Sequence, residues 1–334
     1  MATHIITALA EPYVINGQAL YLSASIGITF YPEDSSDADQ LLRSADQAMY
    51  AAKHAGRNCI RYFTKSLHDS AQNRLTLIND MRVAVAQKQF ELHFQPIVDL
   101  RTGRVVKAEA LIRWHHPERG MISPVDFIPL AEESGLIVEI GDWVFREAAT
   151  WAKRWNDLFK SGIQVSVNTS PSQFQSDAFK VPEWLAYLQA LDLHEKYLSI
   201  EITEGLLLNA SKQVTDKLLR FRDAGIQVAI DDFGVGYSAL SYLKRFDIDY
   251  LKIDQSFIRN LGTEDNDLAL SEAIVIMAHK LGLQVIAEGV ETETQRRLLL
   301  DIGCDCGQGY LFSRPLPAEA FETFLGGAGK AGFK

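Results

Sequence analysis

The part of the chain that decides the fold contains three short apolar runs, each of which ends in acidic residues. These runs are LSIEITE (198–204), QVAIDD (227–232) and YLKID (250–254). Each has the length and composition of a buried strand, and apolar residues recur at helical spacing between them, over Val214–Ala224 and Ala239–Phe246. Strands that alternate with helices of this length predict βαβ units around a mostly parallel sheet.

The same alternation extends over residues 75–327. About eight strands in roughly 250 residues fit a closed barrel better than an open doubly wound sheet. A short turn at Thr102-Gly103 joins the first two strands, one ending at Val98 and the other spanning Val105–Ile112, so we expect this pair to be antiparallel. The predicted fold is therefore α/β, a (β/α)8 TIM-like barrel with one antiparallel strand.

Residues 1–65 have a different organisation. Leu20–Phe30 predicts a buried strand, Asp39–His54 an amphipathic helix and Asn58–Phe63 a short strand. Two strands and one helix make a poor independent domain, so we interpret this segment as a fragment of an α/β domain. Unpaired strand edges predict that it is mobile or pairs with another copy. Residues 66–74 are predicted as a linker and residues 328–334 as a tail.

Composition excludes several classes of protein. The chain has 334 residues, and 33 basic against 43 acidic residues give a net charge of −10, which argues against binding to DNA or RNA polymers. No uncharged apolar run reaches the length of about 18 residues that a membrane span needs, and the N-terminus does not resemble a secretory signal. Three cysteines cannot form a disulfide framework. We therefore expect a cytoplasmic protein, or the cytoplasmic part of a longer, membrane-anchored one, without membrane contact from this segment.

Polar residues stand where successive predicted strands end. They are Glu109, Asn168, Glu201 and Glu204, Asp231 and Asp232, Lys252 and Asp254, Glu288 and Glu291, and Gln308. Barrel enzymes build their active sites at this end of the strands, so these residues predict one crowded pocket. Carboxylates that converge need cations, and carboxylate and amide oxygens suit Mg²⁺ or Mn²⁺. The adjacent pair Asp231 and Asp232 suggests two metal ions, an arrangement used in phosphoryl displacement.

Each of these residues also has a structural interpretation. A carboxylate at a strand end is commonly a helix N-cap. Lys252 lies among the acids, where it can orient water or offset phosphate charge, or simply form an ion pair with Asp254. A Schiff-base enzyme using Lys252 is disfavoured, because surrounding carboxylates favour the charged amine.

From about residue 75 to 327 the chain resembles the EAL domains, which are phosphodiesterases of cyclic di-GMP. The resemblance rests on eight ordered motifs: FQPI (94–97), EAL (109–111), VNTS (167–170), EITE (201–204), DDFG (231–234), LKID (251–254), AEGVE (287–291) and GQGY (307–310). It implies hydrolysis of cyclic di-GMP to linear 5′-pGpG, with two Mg²⁺ or Mn²⁺ ions in each site and inhibition by Ca²⁺. It also implies a homodimer formed through the barrel.

The resemblance assigns roles to individual residues. Glu109, Asn168, Glu201 and Asp231 resemble ligands of one metal, and Asp231 with Asp232 those of the second. Lys252 and Asp254 resemble the pair that positions the nucleophilic water, and Glu288 lies beside the metals. Glu204 resembles the residue that anchors the loop Phe233–Leu240. Five residues resemble the family's substrate contacts, and among them Arg113 resembles a contact to a phosphate. The five are Gln95, Leu111, Arg113, Glu291 and Gln308.

Residues 1–65 resemble the C-terminal part of a GGDEF (diguanylate cyclase) domain. The match consists of SIGI (25–28) and ADQAMYAAK (45–53). The signature loop of that domain and its nucleotide-binding residues lie upstream in the family and are absent here. We therefore expect no cyclase activity from this chain.

Two other functions remain open from the sequence. Degenerate relatives of the EAL domains bind cyclic di-GMP without cleaving it, although here none of the matched metal ligands is missing. The barrel could also act as a scaffold that dimerises and signals through partners.

Overall fold

The computed structural model describes residues 1–160, 162–208, 210–234, 246–262 and 265–328. The chain divides into two compact units, Met1–Asp80 and Met81–Lys334. No helix within the described ranges is both long and apolar enough to cross a bilayer.

The strands of the two units are numbered in chain order. They are β1 (Tyr13–Ile15), β2 (Gln18–Leu20), β3 (Ile26–Ile28), β4 (Ile60–Tyr62), β5 (Phe90–Asp99), β6 (Val105–His116), β7 (Gly120–Ile122), β8 (Gln164–Asn168), β9 (Leu198–Thr203), β10 (Gln227–Phe233), β11 (Tyr250–Ile253), β12 (Gln284–Ala287), β13 (Cys306–Gln308) and β14 (Leu316–Pro317).

The α-helices described in the structure are numbered in the same way. They are α1 (Ala2–Ala10), α2 (Ala38–His54), α3 (Lys65–Ala84), α4 (Pro124–Ser134), α5 (Ile137–Phe159), α6 (Pro171–Gln175), α7 (Val181–Ala190), α8 (Glu204–Leu208), α9 (Lys212–Ala224), α10 (Gln255–Ile258), α11 (Asp265–Lys280), α12 (Glu293–Asp301) and α13 (Ala318–Ala328). A 3₁₀ turn covers Glu195–Tyr197.

The first unit contains the predicted helix and two small sheets. Helix α2 is capped by Asp37, whose side chain accepts a hydrogen bond from the Gln40 amide, and it packs closely on β3. A Cβ added at Gly27 in β3 would lie 2.0 Å from the Ala45 carbonyl oxygen. Strands β3 and β4 pair in parallel, and β1 and β2 form an antiparallel hairpin.

The prediction of one buried strand over Leu20–Phe30 is wrong. Strand β2 ends at Leu20, β3 begins at Ile26, and Tyr21 and Leu22 between them are 75% and 54% exposed. The prediction rested on the apolar residues of this segment, but each sheet of this unit has only two strands among the described residues. Such small sheets offer no second layer on which to bury both faces of a strand.

The predicted linker at 66–74 is helical. These residues lie inside α3, which begins at Lys65, ten residues before the start of the predicted barrel region at residue 75. The segment is rich in Ser, His, Asp, Asn and Gln, which suggested a loop. It contains no Gly or Pro to end the helix. The compact units divide within α3, and residues 329–334 of the predicted tail lie outside the described residues.

The second unit is a closed barrel of eight strands, as the sequence predicted. Around the barrel the order is β5, β6, β8, β9, β10, β11, β12 and β13, and β13 pairs with β5 to close it. Strand β5 is antiparallel to both neighbours, and the other six pairings are parallel. The prediction of one antiparallel strand is thus confirmed.

Helices cover the outside of the barrel. Phe94 of β5 packs edge-on against Trp155 of α5 at 4.7 Å between ring centroids, and Phe321 of α13 packs against Trp155 at 4.9 Å. All three side chains are fully buried. The helix predicted over Ala239–Phe246 falls almost entirely on residues 235–245, which lie outside the described residues.

Candidate active site

A single lysine stands at the centre of the polar cluster. Lys252 on β11 is fully buried, and its Nζ lies 2.6 Å from Glu201 Oε2 and 2.6 Å from Glu288 Oε1. The same Nζ is 3.1 Å from Asp231 Oδ1 and 3.6 Å from Glu109 Oε2. In the part of the chain that the structure describes, it is the one ammonium within 4 Å of these carboxylates. One positive charge thus faces four acidic groups.

The pKa values of two of these acids reflect this imbalance. Burial, with the neighbouring Glu109 and Asp231 carboxylates, raises the pKa of Glu201 to about 7 against the opposing effect of Lys252. Burial in the same cluster raises the pKa of Glu288 to about 8. Without a further cation, the cluster would therefore hold protons near neutral pH.

Lys252 and Glu109 remain charged for the complementary reason. Burial by itself lowers the pKa of Lys252, but the surrounding carboxylates outweigh this and hold its pKa well above the usual value. Burial by itself raises the pKa of Glu109, but the Lys252 charge and the hydrogen bonds to Gln308 and Asn168 leave that pKa below its usual value. This pair forms a fixed ionic core.

A bulge in β10 brings two consecutive aspartates to the site. Ile230 pairs with Leu251 of β11 and Phe233 pairs with Ile253, so Asp231 and Asp232 together stand opposite one residue. Asp232 has a left-handed backbone with φ of 54°, and its amide donates to Asp231 Oδ1 at 3.1 Å. In a regular strand, neighbouring side chains point to opposite faces. Here one oxygen from each of Asp231, Asp232 and Glu288 lies within 4.8 Å of the other two.

Amide side chains orient Glu109 from both sides. Asn168 Nδ2 donates to Glu109 Oε1 at 2.6 Å, and Gln308 Nε2 donates to Glu109 Oε2 at 2.5 Å. Gln308 Nε2 also donates to Gln95 Oε1 at 3.0 Å, and Gln95 Nε2 donates to the Ser313 carbonyl at 3.1 Å. A chain of amides therefore ties the metal-ligand candidates to the residues predicted to contact substrate.

A cavity of about 230 Å³ opens beside this cluster. Its lining residues are Gln95, Glu109, Leu111, Gln255, Glu288, Gly289, Glu291, Gln308, Gly309 and Tyr310. Four of the five predicted substrate contacts lie here. The fifth, Arg113, lines an adjoining cavity of about 140 Å³ together with Leu111 and Asn168. Burial lowers the pKa of Arg113, and its Nη1 donates to the Ile112 carbonyl at 2.9 Å.

Two further predicted residues, Asp254 and Glu204, stand at the starts of short helices. Asp254 caps α10, and its Oδ1 accepts hydrogen bonds from the amide and hydroxyl of Ser256. The ion pair considered between Lys252 and Asp254 is not found among the described residues. Glu204 is buried at the start of α8, and neither of its carboxylate oxygens has a hydrogen-bond partner in the described ranges. Most of the loop that Glu204 is predicted to anchor, residues 235–240, lies outside them.

Sequence reasoning missed several cavity residues. Gln255, Gly289, Gly309 and Tyr310 were not selected, although each lies within or next to a motif that was. The side chain of Arg314 stacks on the Tyr310 ring, with 4.2 Å between Cζ and the ring centroid, at the edge of the cavity. In the sequence, the four missed residues are distinguished only by lying next to the acidic strand ends. That position alone does not show which side chains point into the cavity.

The donor set fits hard divalent cations. It consists of carboxylate and amide oxygens, the ligands that Mg²⁺ and Mn²⁺ prefer. Glu201 Oε1 is buried and lacks a hydrogen-bond partner among the described residues, which is costly unless a cation or proton is bound there. The close set of Asp231, Asp232 and Glu288 oxygens offers a second place for positive charge.

Known proteins match both units. The EAL domain family matches residues 78–315, and the family described as diguanylate cyclase, GGDEF domain, matches residues 1–59. The bifunctional diguanylate cyclase/cyclic di-GMP phosphodiesterase MucR of Pseudomonas aeruginosa is 40% identical over 319 residues, which cover 96% of this chain and 46% of MucR. The cyclic di-GMP phosphodiesterase PdeR of Escherichia coli is 40% identical over 324 residues, covering 97% of this chain and 49% of PdeR.

A solved structure agrees with the barrel. The structure described as PaMucR phosphodiesterase, c-di-GMP complex, is 40% identical, with a TM-score of 0.70, and the match covers 74% of this chain and 99% of that one. The chain spans about half the length of the curated relatives named above. The chain belongs to the EAL domain family, and it carries a segment of a GGDEF domain at residues 1–59.

Proposed function

We propose that this chain is a metal-dependent phosphodiesterase that hydrolyses cyclic di-GMP to linear 5′-pGpG. The observation that carries the proposal is the cluster of four carboxylates around Lys252 beside an open cavity. Cyclic di-GMP is proposed as the substrate because relatives of this chain are named as cyclic di-GMP phosphodiesterases and a related barrel was solved with c-di-GMP.

Two divalent ions would be held by the residues that the sequence selected. Glu109, Asn168, Glu201 and Asp231 are proposed for one ion, and Asp231 with Asp232 for the other. When bound, Mg²⁺ or Mn²⁺ would neutralise phosphate charge and make water a better nucleophile at neutral pH. Ca²⁺, which accepts looser coordination than Mg²⁺, is proposed to inhibit.

The chain's own side chains supply orientation. Lys252 is an ammonium at neutral pH, so it acts as a hydrogen-bond donor and a positive charge and not as a base. It holds the facing oxygens of Glu201 and Glu288 in fixed positions and, with Asp254, is proposed to orient the attacking water. Because Arg113 keeps its charge, it would bind a phosphate oxygen.

The test is direct assay of the purified chain. Cyclic di-GMP is incubated with Mg²⁺ or Mn²⁺, with and without excess Ca²⁺, and nucleotides are separated by chromatography. Metal-dependent formation of pGpG supports the proposal, and the Glu109→Ala variant should form none. Intact cyclic di-GMP bound tightly by the wild type without cleavage would instead support the receptor function.

One further expectation accompanies this proposal. We propose a homodimer formed through the barrel, which light scattering after size-exclusion chromatography would test. A monomer at micromolar concentration would contradict it.

A further inference from the structure

The amide of Gln295 makes four hydrogen bonds that join two segments of the active site. Its Oε1 accepts from the Glu291 amide at 2.8 Å and from the Thr292 amide at 2.9 Å. Its Nε2 donates to the carbonyls of Ile258 at 3.0 Å and Arg259 at 3.3 Å. The side chain is buried, so these hydrogen bonds are shielded from solvent.

The two joined segments both carry predicted site residues. One is the loop Glu288–Thr292 after β12, which places Glu288 against Lys252 and Glu291 in the cavity wall. The other is α10, whose first turn is capped by Asp254 and whose last carbonyls accept from Gln295. These two segments therefore follow the neighbouring strands β12 and β11.

Other contacts fix the first half of this loop but not its end. The Glu288 amide donates to the Ile253 carbonyl at 3.1 Å, and the Val290 amide donates to the Gln308 carbonyl at 3.0 Å. Gly289, with φ of +68°, lies so close to α10 that an added Cβ would be 2.7 Å from Gln255 Cβ. At Glu291, the hydrogen bond described for the backbone amide is the one to Gln295.

Helix capping alone does not require glutamine at this position. Thr292 and Gln295 form a capping box. The Thr292 hydroxyl accepts from the backbone N–H of Gln295, and Gln295 Oε1 accepts from the backbone N–H of Thr292. Glutamate performs the same reciprocal capping with a carboxylate oxygen. Only an amide can in addition donate to the two carbonyls of α10.

We propose that Gln295 is a positioning residue that sets the distance between Glu291 and the Asp254-capped helix, and so shapes the substrate cavity. This inference rests on the proposed phosphodiesterase function. The effect acts through Glu291, which lines the cavity, while Lys252 and its carboxylates keep their own contacts. The consequence falls mainly on substrate binding and less on the chemical step.

Two single substitutions separate the capping bonds from the link to α10. Gln295→Glu keeps the acceptor for Glu291 and Thr292 but places a carboxylate oxygen against two carbonyl oxygens, so it breaks only the link. Thr292→Ala removes the hydroxyl that caps the helix and keeps the side-chain amide of Gln295, which makes the link to α10. Both variants and the wild type are compared by thermal unfolding and by steady-state hydrolysis of cyclic di-GMP with Mn²⁺.

We expect Gln295→Glu, which loses both hydrogen bonds to the Ile258 and Arg259 carbonyls, to raise KM by about tenfold, with a much smaller change in kcat. Thr292→Ala should lower the unfolding temperature and leave KM within about twofold of the wild type. A wild-type KM in Gln295→Glu, or an equal rise of KM in both variants, would overturn the inference.

The wild type separates this inference from the proposed function. If the wild type binds cyclic di-GMP without cleaving it, the proposed function fails, and the dissociation constants of the three proteins, measured by calorimetry, replace KM in the same comparison. A wild type that neither binds nor cleaves cyclic di-GMP refutes both. Circular dichroism of each variant checks that it is folded.

Discussion

Replacing Lys252 by Met tests the electrostatic core of the barrel. The substitution preserves most of the buried aliphatic chain and removes the ammonium that lies 2.6 Å from both Glu201 and Glu288. Breaking a buried ion pair by removing one partner costs about 3–5 kcal/mol, because the other partner stays buried and uncompensated. At about 2–4 °C per kcal/mol for a unit of this size, the unfolding temperature should fall by about 6–20 °C.

The loss should depend on pH. Glu201 and Glu288 have pKa values of about 7 and 8 in the fold against an ordinary value of 4.5. Near pH 5.5 both carboxyls are protonated in the wild type, so removing the lysine breaks less charge–charge attraction. Near pH 8.5 they are ionised in the wild type, and without the ammonium they must either repel one another or take up protons, so we expect the larger loss there.

The assay is urea or thermal unfolding of the metal-free protein, followed by circular dichroism at both pH values. Lys153→Met is the matched control, because that lysine pairs with Asp157 at 3.3 Å on the surface and should change the free energy of unfolding by less than about 1 kcal/mol. A loss in Lys252→Met no larger than in this control would refute the reasoning. So would a loss that is greater near pH 5.5.

Three further outcomes are expected. Glu109→Ala and Asp231→Ala should each reduce the rate of pGpG formation below detection at the same substrate concentration. Near-normal turnover in either variant, measured by chromatography, would contradict the proposed metal site. The metal-free wild type should lose stability as the pH rises from about 4.5 to 8, because the pKa values of Glu201 and Glu288 are higher in the folded than in the unfolded chain. Denaturation with chelator should show this loss, and Mg²⁺ or Mn²⁺ should reduce it; a stability that is flat over this range would speak against the raised pKa values. Gly289→Ala should lower the unfolding temperature and raise KM, since its left-handed backbone and close approach to the neighbouring short helix leave no room for a Cβ; an unchanged melting curve would show that the helix can move away.

The barrel could be predicted from sequence because its strands are buried on both faces. Strand β9, Leu198–Thr203, lies within the apolar run quoted for it at residues 198–204, since a continuous apolar run between turn residues leaves little choice of register. The short connection after β5 likewise determined the antiparallel pairing. In residues 1–65 the same apolar pattern misled, because a pattern shows which side chains avoid water and not whether a second layer exists to cover them.

The candidate site could be predicted as a set of residues and not as a set of contacts. Strand ends of one barrel must converge, so Glu109, Glu201, Asp231 and Glu288 were selected together. The sequence did not show that Lys252 reaches all four of them while Asp254 caps a helix. Nor did it indicate Gln295, whose role depends on carbonyls of a helix more than thirty residues earlier in the chain.

The bulge in β10 has a consequence for how this chain tolerates change in length. Deleting one of the two aspartates would let the strand pair regularly with β11, with Phe233 still opposite Ile253, and would leave one aspartate where there are two. The pairing with β11 would improve, while the second of the two proposed cations would lose one of its ligands. A single-residue deletion at 231–232 would therefore give a better-paired strand in a barrel that lacks part of the proposed site for two ions.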